Sequence, residues 1–358
     1  MLLALVLLAL QPTPAPAGAA PADSVAPPVL VIAHRGASGV RPEHTLEAYA
    51  LAVEMGADYI EPDVVATKDG VLVARHENEI SETTDVASRP EFAARRATKT
   101  IDGAEVTGWF TEDFTLEELR TLRAVERLPD LRPESARYDG QFLVPTLAEV
   151  VALAARLGRE RGQPVGVYPE TKHPTYFRGI GLPLEEPLLS VLAAAGAGRS
   201  DLPVFIQSFE VENLRLLSAR TDLPLVQLAY PGGRPYDRVA AGDTTGYDAM
   251  LTPAGLQEVA TYADAVGVHK AAVLDPTTLA PTPLVADAQA AGLGVHVWTV
   301  RAENAFLPPT LRSDAPGAPD PAAAGDVVAE VRALVAAGVD GLFTDHPDQV
   351  LTALERQP

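Results

Sequence analysis

No cysteine occurs in the 358-residue chain. That absence excludes disulfides, thiolate nucleophiles and zinc–sulfur centres, and it denies the apolar N-terminus the residue a lipid anchor needs. Positive charge is scarce: 28 Lys and Arg stand against 48 Asp and Glu, a formal net charge of −20 at pH 7. So acidic a chain repels nucleic acid and anionic membrane surfaces. It also repels an anionic substrate at long range, so a phosphate ligand requires a local positive site, which a bound cation would supply. The apolar run Leu2–Leu10 is uninterrupted but too short to span a bilayer, and stable membrane insertion is not expected. The small and Pro-rich stretch Gln11–Pro28 follows it, with Ala17-Gly18-Ala19 as a cleavage site. Together they resemble a secretory signal peptide, although no Lys or Arg precedes the run. Residues 1–19 are expected to be a leader and 20–28 a Pro/Ala-rich linker, and the mature protein is expected to be exported, periplasmic or secreted. No repeat of solenoid period is present. With 47% hydrophobic and 21% charged residues, the remainder reads as an ordinary globular protein.

That remainder alternates between short apolar runs and helical patterns. Strands are expected at 29–34, 58–65, 165–170, 203–207, 224–229, 264–268, 293–299 and 340–344, most of them apolar enough to be buried on both faces. Helices are expected at 45–55, 146–158, 184–195, 210–219, 254–261, 282–291 and 325–337. Thr115-x-x-Glu118 and Thr146-x-x-Glu149 read as capping boxes, in which side chains satisfy the first-turn N–H groups of a helix. Eight strands alternating with helices predict an α/β fold, a (β/α)8 TIM barrel over 29–356, with an open doubly wound sheet as the alternative. Residues 77–144 break the rhythm, since a βα loop usually takes about 2–6 residues. Their Trp109, Phe110 and Phe114 argue for an ordered insertion after the second strand region, either a lid over the barrel mouth or a surface excursion. The Pro/Ala-rich 307–324 reads as a plain loop.

The chemistry-bearing residues cluster at strand ends, where a barrel carries its active site. His34-Arg35-Gly36 follows the run Val29–Ala33, Glu61-Pro62-Asp63 ends the second strand, and His76 follows another β-like run. This set describes a site for breaking a phosphate ester. Glu61 and Asp63 are two apart, so on a strand both face the same side, here the barrel interior. Two bare carboxylates there repel, and a divalent cation resolves the conflict, with Glu170 as a third ligand. All-oxygen ligation favours Ca²⁺ or Mg²⁺ over zinc; a structural cluster paired with Arg35 or Arg75 is the alternative. His34 and His76 are the candidate general acid and base, because imidazole titrates near neutrality. Arg35 offers a two-pronged fork for phosphate and Lys172 a second cation. His44, His173, His269, His296 and His346 read as structural or surface residues.

The run HRGASGVRPEHT at 34–45, GADYIEPD at 56–63 and HEN at 76–78 resembles the glycerophosphodiester phosphodiesterase family. VYPETK at 167–172, QSF at 207–209, VWTVR at 297–301 and GLFTD at 341–345 extend the match in order over nearly the whole mature chain. Many members carry Asn in place of His44 and Asp in place of Glu77; the His form, the long insertion and the YPETK run resemble the periplasmic branch. The resemblance implies a (β/α)8 barrel that hydrolyses small-molecule glycerophosphodiesters, such as glycerophosphocholine or glycerophosphoethanolamine, to glycerol 3-phosphate and an alcohol. It puts His34 and His76 on the acid/base pair, Glu61, Asp63 and Glu170 on the metal ligands (usually Ca²⁺ in exported members), and Arg35 on the phosphate-binding arginine. Lys172, and more loosely Glu43, Phe209 and Trp298, fall on substrate-binding positions. Attack by the glycerol 2-hydroxyl through a cyclic phosphate and direct attack by water both satisfy the chemistry. A phospholipase D-like or C-like enzyme acting on intact lipid is the rival in the same class, disfavoured by the acidic charge. A non-catalytic binding protein on the same barrel is the rival outside it, and would be expected to lack a histidine or a carboxylate of the set. A homodimer is compatible with the sequence.

Overall fold

The computed structural model describes residues 28–313 and 320–357; the expected leader and nearly all of the expected linker lie outside them. The β-branched, apolar runs form the strands: β1 (Leu30–His34), β2 (Tyr59–Glu61), β3 (Asp63–Ala66), β4 (Leu72–Ala74), β5 (Ala97–Ile101), β6 (Ala104–Gly108), β7 (Gly166–Val167), β8 (Glu170–Thr171), β9 (Ile206–Ser208), β10 (Leu225–Ala229), β11 (Ala265–His269), β12 (Gly294–Val300) and β13 (Gly341–Thr344). The expected second and third strands are each in two pieces, broken at Pro62 and at Tyr168-Pro169. Proline has no N–H to give to a ladder. Pairing nonetheless continues across the breaks, from Tyr168 N to Ile60 O at 2.9 Å and from Glu170 N to Pro62 O at 3.0 Å.

Taken as one strand each, β2/β3 and β7/β8 complete a ring of eight. β1 pairs in parallel with β13 and with β2, β2 with β7, β3 with β8, and β8 with β9. The sequence β9–β10–β11–β12–β13, also parallel, returns to the start. This is the expected (β/α)8 barrel. All seven expected helices are present, at Leu46–Glu54, Leu147–Arg161, Glu185–Ala195, Val211–Ser218, Pro253–Val259, Leu284–Ala290 and Val327–Ala336, and Pro347–Ala353 adds a last one against β1. Both capping boxes form, at Thr115 and Thr146. The main apolar core lies between strands and helices. A smaller cluster of Ile32, Tyr59, Tyr168, Val226, Ala265 and Phe343 plugs the barrel interior, where the hydroxyl of Tyr168 meets His296 Nδ1 at 2.6 Å.

One strand departs from the reading of the sequence, and the expected ordered insertion gains a hairpin. β4 is an antiparallel strand on β3, returned by the turn that contains Asp69 and a left-handed Gly70. The segment 77–144 is ordered and holds the two-residue hairpin β5/β6, whose turn residues Asp102 and Gly103 both have positive φ, as such a turn requires. Trp109, Phe110 and Phe114 are buried, and the Trp109 indole donates to Phe92 O at 2.7 Å. Within 307–324 the described part includes a single 3-10 turn, Pro309–Leu311.

Candidate active site

The C-terminal ends of the barrel strands deliver the polar residues to one cavity of about 300 Å³. Glu61 closes β2, Asp63 opens β3 and Glu170 opens β8; one oxygen from each lies within 4.8 Å of the others, and all three are buried. Arg35 N donates to Glu61 Oε2 at 2.9 Å and the Gln207 amide to Glu61 Oε1 at 2.8 Å. Lys172 Nζ meets Glu170 Oε1 at 3.0 Å. Asp63 Oδ2 contacts His44 Nε2 at 2.9 Å, while Asp63 Oδ1 and Gln207 Oε1 are buried with no hydrogen-bond partner among the described residues.

Burial and the neighbouring Asp63 and Glu170 charges push the Glu61 carboxyl well above its usual range. Burial also lifts Glu170 to about 8, with Lys172 opposing and Asp63 adding to the rise. Asp63 stays well below its usual value against its burial, held there by His44 and Lys172. Three crowded carboxylates with an orphaned acceptor fit a hard divalent cation, which reverses this electrostatic logic by favouring the ionised form of every ligand. Arg75 does not neutralise them: it turns away, donating to Glu43 O at 3.2 Å, with Nε and Nη2 buried and without a hydrogen-bond partner among the described residues.

His34 and His76 both line the cavity, and each has a carboxylate behind Nδ1. His34 Nδ1 contacts Asp345 Oδ1 at 2.6 Å, and His76 Nδ1 contacts Glu77 Oε1 at 2.9 Å. A carboxylate at Nδ1 assigns the proton of the neutral ring to that nitrogen and leaves Nε2 as the basic atom. Consistent with this assignment, His34 Nε2 receives Arg35 Nε at 3.2 Å. Burial first, and then the Arg35 charge, lower His34 to about 4 and His76 to about 3. An anionic phosphodiester in the cavity acts in the opposite direction and stabilises the protonated rings.

Arg35 adopts a left-handed conformation, φ 61°, in the turn that follows β1. Its guanidinium is braced by Glu43 at 3.1 and 3.2 Å and lies 3.4 Å from Asp63. Arg35, Lys172, Lys270 and Arg301 put positive charge on the cavity wall beside Phe209, Tyr230, Trp298 and Phe306, with Lys172 Nζ 5.7 Å from the Phe209 ring centre and the Arg301 guanidinium 4.4 Å from that of Phe306. Trp298 sits 5.8 Å from the rings of both Phe209 and Tyr230. Cations interleaved with aromatic rings suit a ligand with one phosphate and a carbon-rich arm.

The profile of the Glycerophosphoryl diester phosphodiesterase family matches residues 34–349. The chain belongs to that family. A glycerophosphodiester phosphodiesterase of Arabidopsis thaliana is 36% identical over 330 residues, 88% of this chain and 82% of the relative. One of Haemophilus influenzae is 31% identical over 346 residues, 89% and 88% of the two chains. Among solved structures, a Silicibacter pomeroyi protein of the same family name superposes with TM-score 0.64 at 26% identity, covering 92% of this chain and 93% of that one. An Oleispira antarctica phosphodiesterase, solved with its product sn-glycerol-3-phosphate, gives TM-score 0.60 at 20% identity, over 91% and 96%; at that distance the likeness speaks for the fold.

Of the residues singled out in this family member's sequence, His34, Arg35, Glu61, His76, Glu170, Lys172, Phe209 and Trp298 line the cavity. Asp63 joins through the carboxylate cluster. Glu43 does not reach the cavity; it lies behind Arg35, shared with Arg127 of the insertion at 3.1 Å. Several polar partners were not read from the sequence. Asp345 holds His34 and is itself gripped by Arg132 Nη2 at 2.5 Å and Arg301 Nε at 2.8 Å. Its position directly after the apolar strand Gly341–Thr344 was the available signal. Gln207 sits in the quoted QSF run, yet only Phe209 of that run drew a role. His44 and His173, read as structural or surface residues, contact Asp63 and Glu77 respectively, and His269 lines the cavity.

Proposed function

We propose that this protein hydrolyses glycerophosphodiesters such as glycerophosphocholine to glycerol 3-phosphate and an alcohol, by acid/base catalysis at His34 and His76 with a divalent metal. The observation that carries the reading is one cavity where two carboxylate-backed histidines, two phosphate-binding cations and an acidic triad meet. Arg35 and Lys172 bind and orient the phosphodiester. One histidine takes the proton of the glycerol 2-hydroxyl at Nε2, and that oxygen bonds to phosphorus as the bond to the alcohol oxygen breaks. The departing alkoxide takes a proton from Nε2 of the other histidine. Water then opens the cyclic phosphate at the 2-oxygen with the two roles exchanged, so both rings return to their starting protonation. Asp345 and Glu77 keep each ring in one tautomer, and the aromatic wall excludes water from the glycerol carbons. Glu61, Asp63 and Glu170 would hold the metal, with Ca²⁺ as the leading candidate and Mg²⁺ the alternative; when bound it supplies charge neutralisation of the phosphate oxygens.

The test is release of glycerol 3-phosphate from glycerophosphocholine by the purified protein, after EDTA and with Ca²⁺ or Mg²⁺ restored. Activity lost on chelation and regained with Ca²⁺ is expected; a folded protein releasing nothing with either metal overturns the reading. The run Leu2–Leu10 with Ala17-Gly18-Ala19 supports export of the mature chain, and N-terminal sequencing of the expressed protein checks it. A mature N-terminus that retains Leu2–Leu10 would refute export by this route.

A further inference from the structure

The hairpin β5/β6 buries little: Ile101 and Gly108 are its buried positions, and Thr98, Thr100, Ala104, Glu105 and Thr107 are exposed. Apolar packing therefore does not explain why its tip is held where it is. Among the described residues the tip makes one side-chain hydrogen bond. Asp102 Oδ2 meets His173 Nδ1 at 2.6 Å, and among the described residues no hydrogen-bond partner reaches Asp102 Oδ1. His173, itself left-handed at φ 50°, turns its Nε2 to Glu77 Oε2 at 2.7 Å. The second oxygen of Glu77 meets His76 Nδ1 at 2.9 Å. A continuous line of hydrogen-bonding groups thus runs from the insertion to a histidine of the cavity wall.

We infer that Asp102 is a positioning residue for His76, acting through His173 and Glu77. Both ring nitrogens of His173 face carboxylate oxygens, so both carry protons and the ring is cationic. That cation keeps Glu77 ionised, and an ionised Glu77 can only accept, which fixes the proton of His76 on Nδ1 and frees Nε2 for the substrate. In agreement, the two carboxylates raise His173 to about 9 against its burial, and Glu77 stays far below the usual carboxylate range. Loss of the Asp102 charge weakens each link in turn, although Asp102 touches neither substrate nor metal ligand.

The inference rests on His76 as a catalytic group, so the variants separate the two claims. Asp102→Ala is expected to lower kcat for glycerophosphocholine by about 3- to 10-fold at unchanged KM, at or below the low end of the effect of a partner directly behind a reacting group, since two residues relay it. His173→Gln is expected to do the same. Thr98→Ala, which removes an exposed cross-strand contact of the hairpin, serves as the folding control and keeps the parent kcat. In ¹⁵N spectra of histidine-labelled protein, the His76 ring, assigned by its loss in His76→Ala, should show protonated Nδ1 in the parent and a mixed population in Asp102→Ala. Unchanged kcat and an unchanged His76 tautomer in Asp102→Ala overturn the inference. Wild-type turnover in His76→Ala instead overturns the catalytic reading, whatever Asp102→Ala does.

Discussion

Asp345→Asn changes one oxygen to nitrogen, and the surrounding donors decide which. Asp345 is buried, with Oδ1 on His34 Nδ1 and Oδ2 on Arg132 and Arg301. Arginines can only donate, so they claim the single oxygen of the asparagine and leave its NH₂ facing His34. His34 must then accept at Nδ1, and its proton moves to Nε2. That nitrogen already receives the Arg35 Nε–H at 3.2 Å, so two donors confront each other and the basic atom is lost from the cavity. Holding a catalytic histidine in the wrong tautomer costs on the order of 10⁴ in kcat elsewhere, and a loss of roughly 10³- to 10⁴-fold is expected here. The two arginines keep an acceptor but lose an ionised one, costing about 1–3 kcal/mol of stability. The assay is the kcat for glycerol 3-phosphate release beside thermal unfolding and near-UV circular dichroism. A folded Asp345→Asn protein within 10-fold of the parent kcat would refute the tautomer argument.

His34→Ala and His76→Ala should each remove most turnover and leave thermal unfolding nearly unchanged; a parent-like rate in either excludes that ring from catalysis. Glu61→Gln or Asp63→Asn should weaken Ca²⁺ binding by about 10-fold or more, as expected on loss of a charged ligand, and calorimetry showing equal affinity would remove that residue from the metal site. The raised value of His173, about 9, contributes stability that is fully present below its unfolded value near 6.5 and lost as pH rises through about 9. Over that window it is worth on the order of 3 kcal/mol. Urea unfolding between pH 6 and 10 should show the decline in the parent and a flatter profile in His173→Gln, and parallel profiles would contradict it. Deleting 88–135 removes buried Phe92, Trp109 and Phe114 and the Arg132 grip on Asp345. The product should lose both activity and cooperative unfolding, whereas a stable, active deletion would make the segment dispensable.

How much of this was legible in sequence depended on the distance between partners. Runs such as Val29–Ala33 or Ala265–Val268 announce buried strands because both faces are covered, and the alternation with helices is enough to propose the barrel. Glu61 and Asp63 could be placed together because two residues on one strand share a face. Local signals were also passed over: Pro62 and Pro169 marked breaks in the ladder, and Asp69-Gly70 marked the turn into β4. The rest depends on closure. His34 and Asp345 are 311 positions apart, Arg132 and Asp345 213, and Asp102 and His173 71. No periodicity links such pairs, so a histidine such as His173 reads as a surface residue until the chain is folded around it.

The pairing of β1 with β13 brings together the two ends of the described chain, and it does so beside the pairing of His34 with Asp345. During synthesis the histidine emerges 311 residues ahead of the carboxylate that orients it. A nascent or C-terminally truncated chain ending before Gly341 has neither a sealed barrel nor an oriented His34, however much of the middle has folded. On the role proposed for His34, hydrolytic competence therefore waits for β13 to close the ring, and a chain clipped before it stays silent toward phosphodiesters.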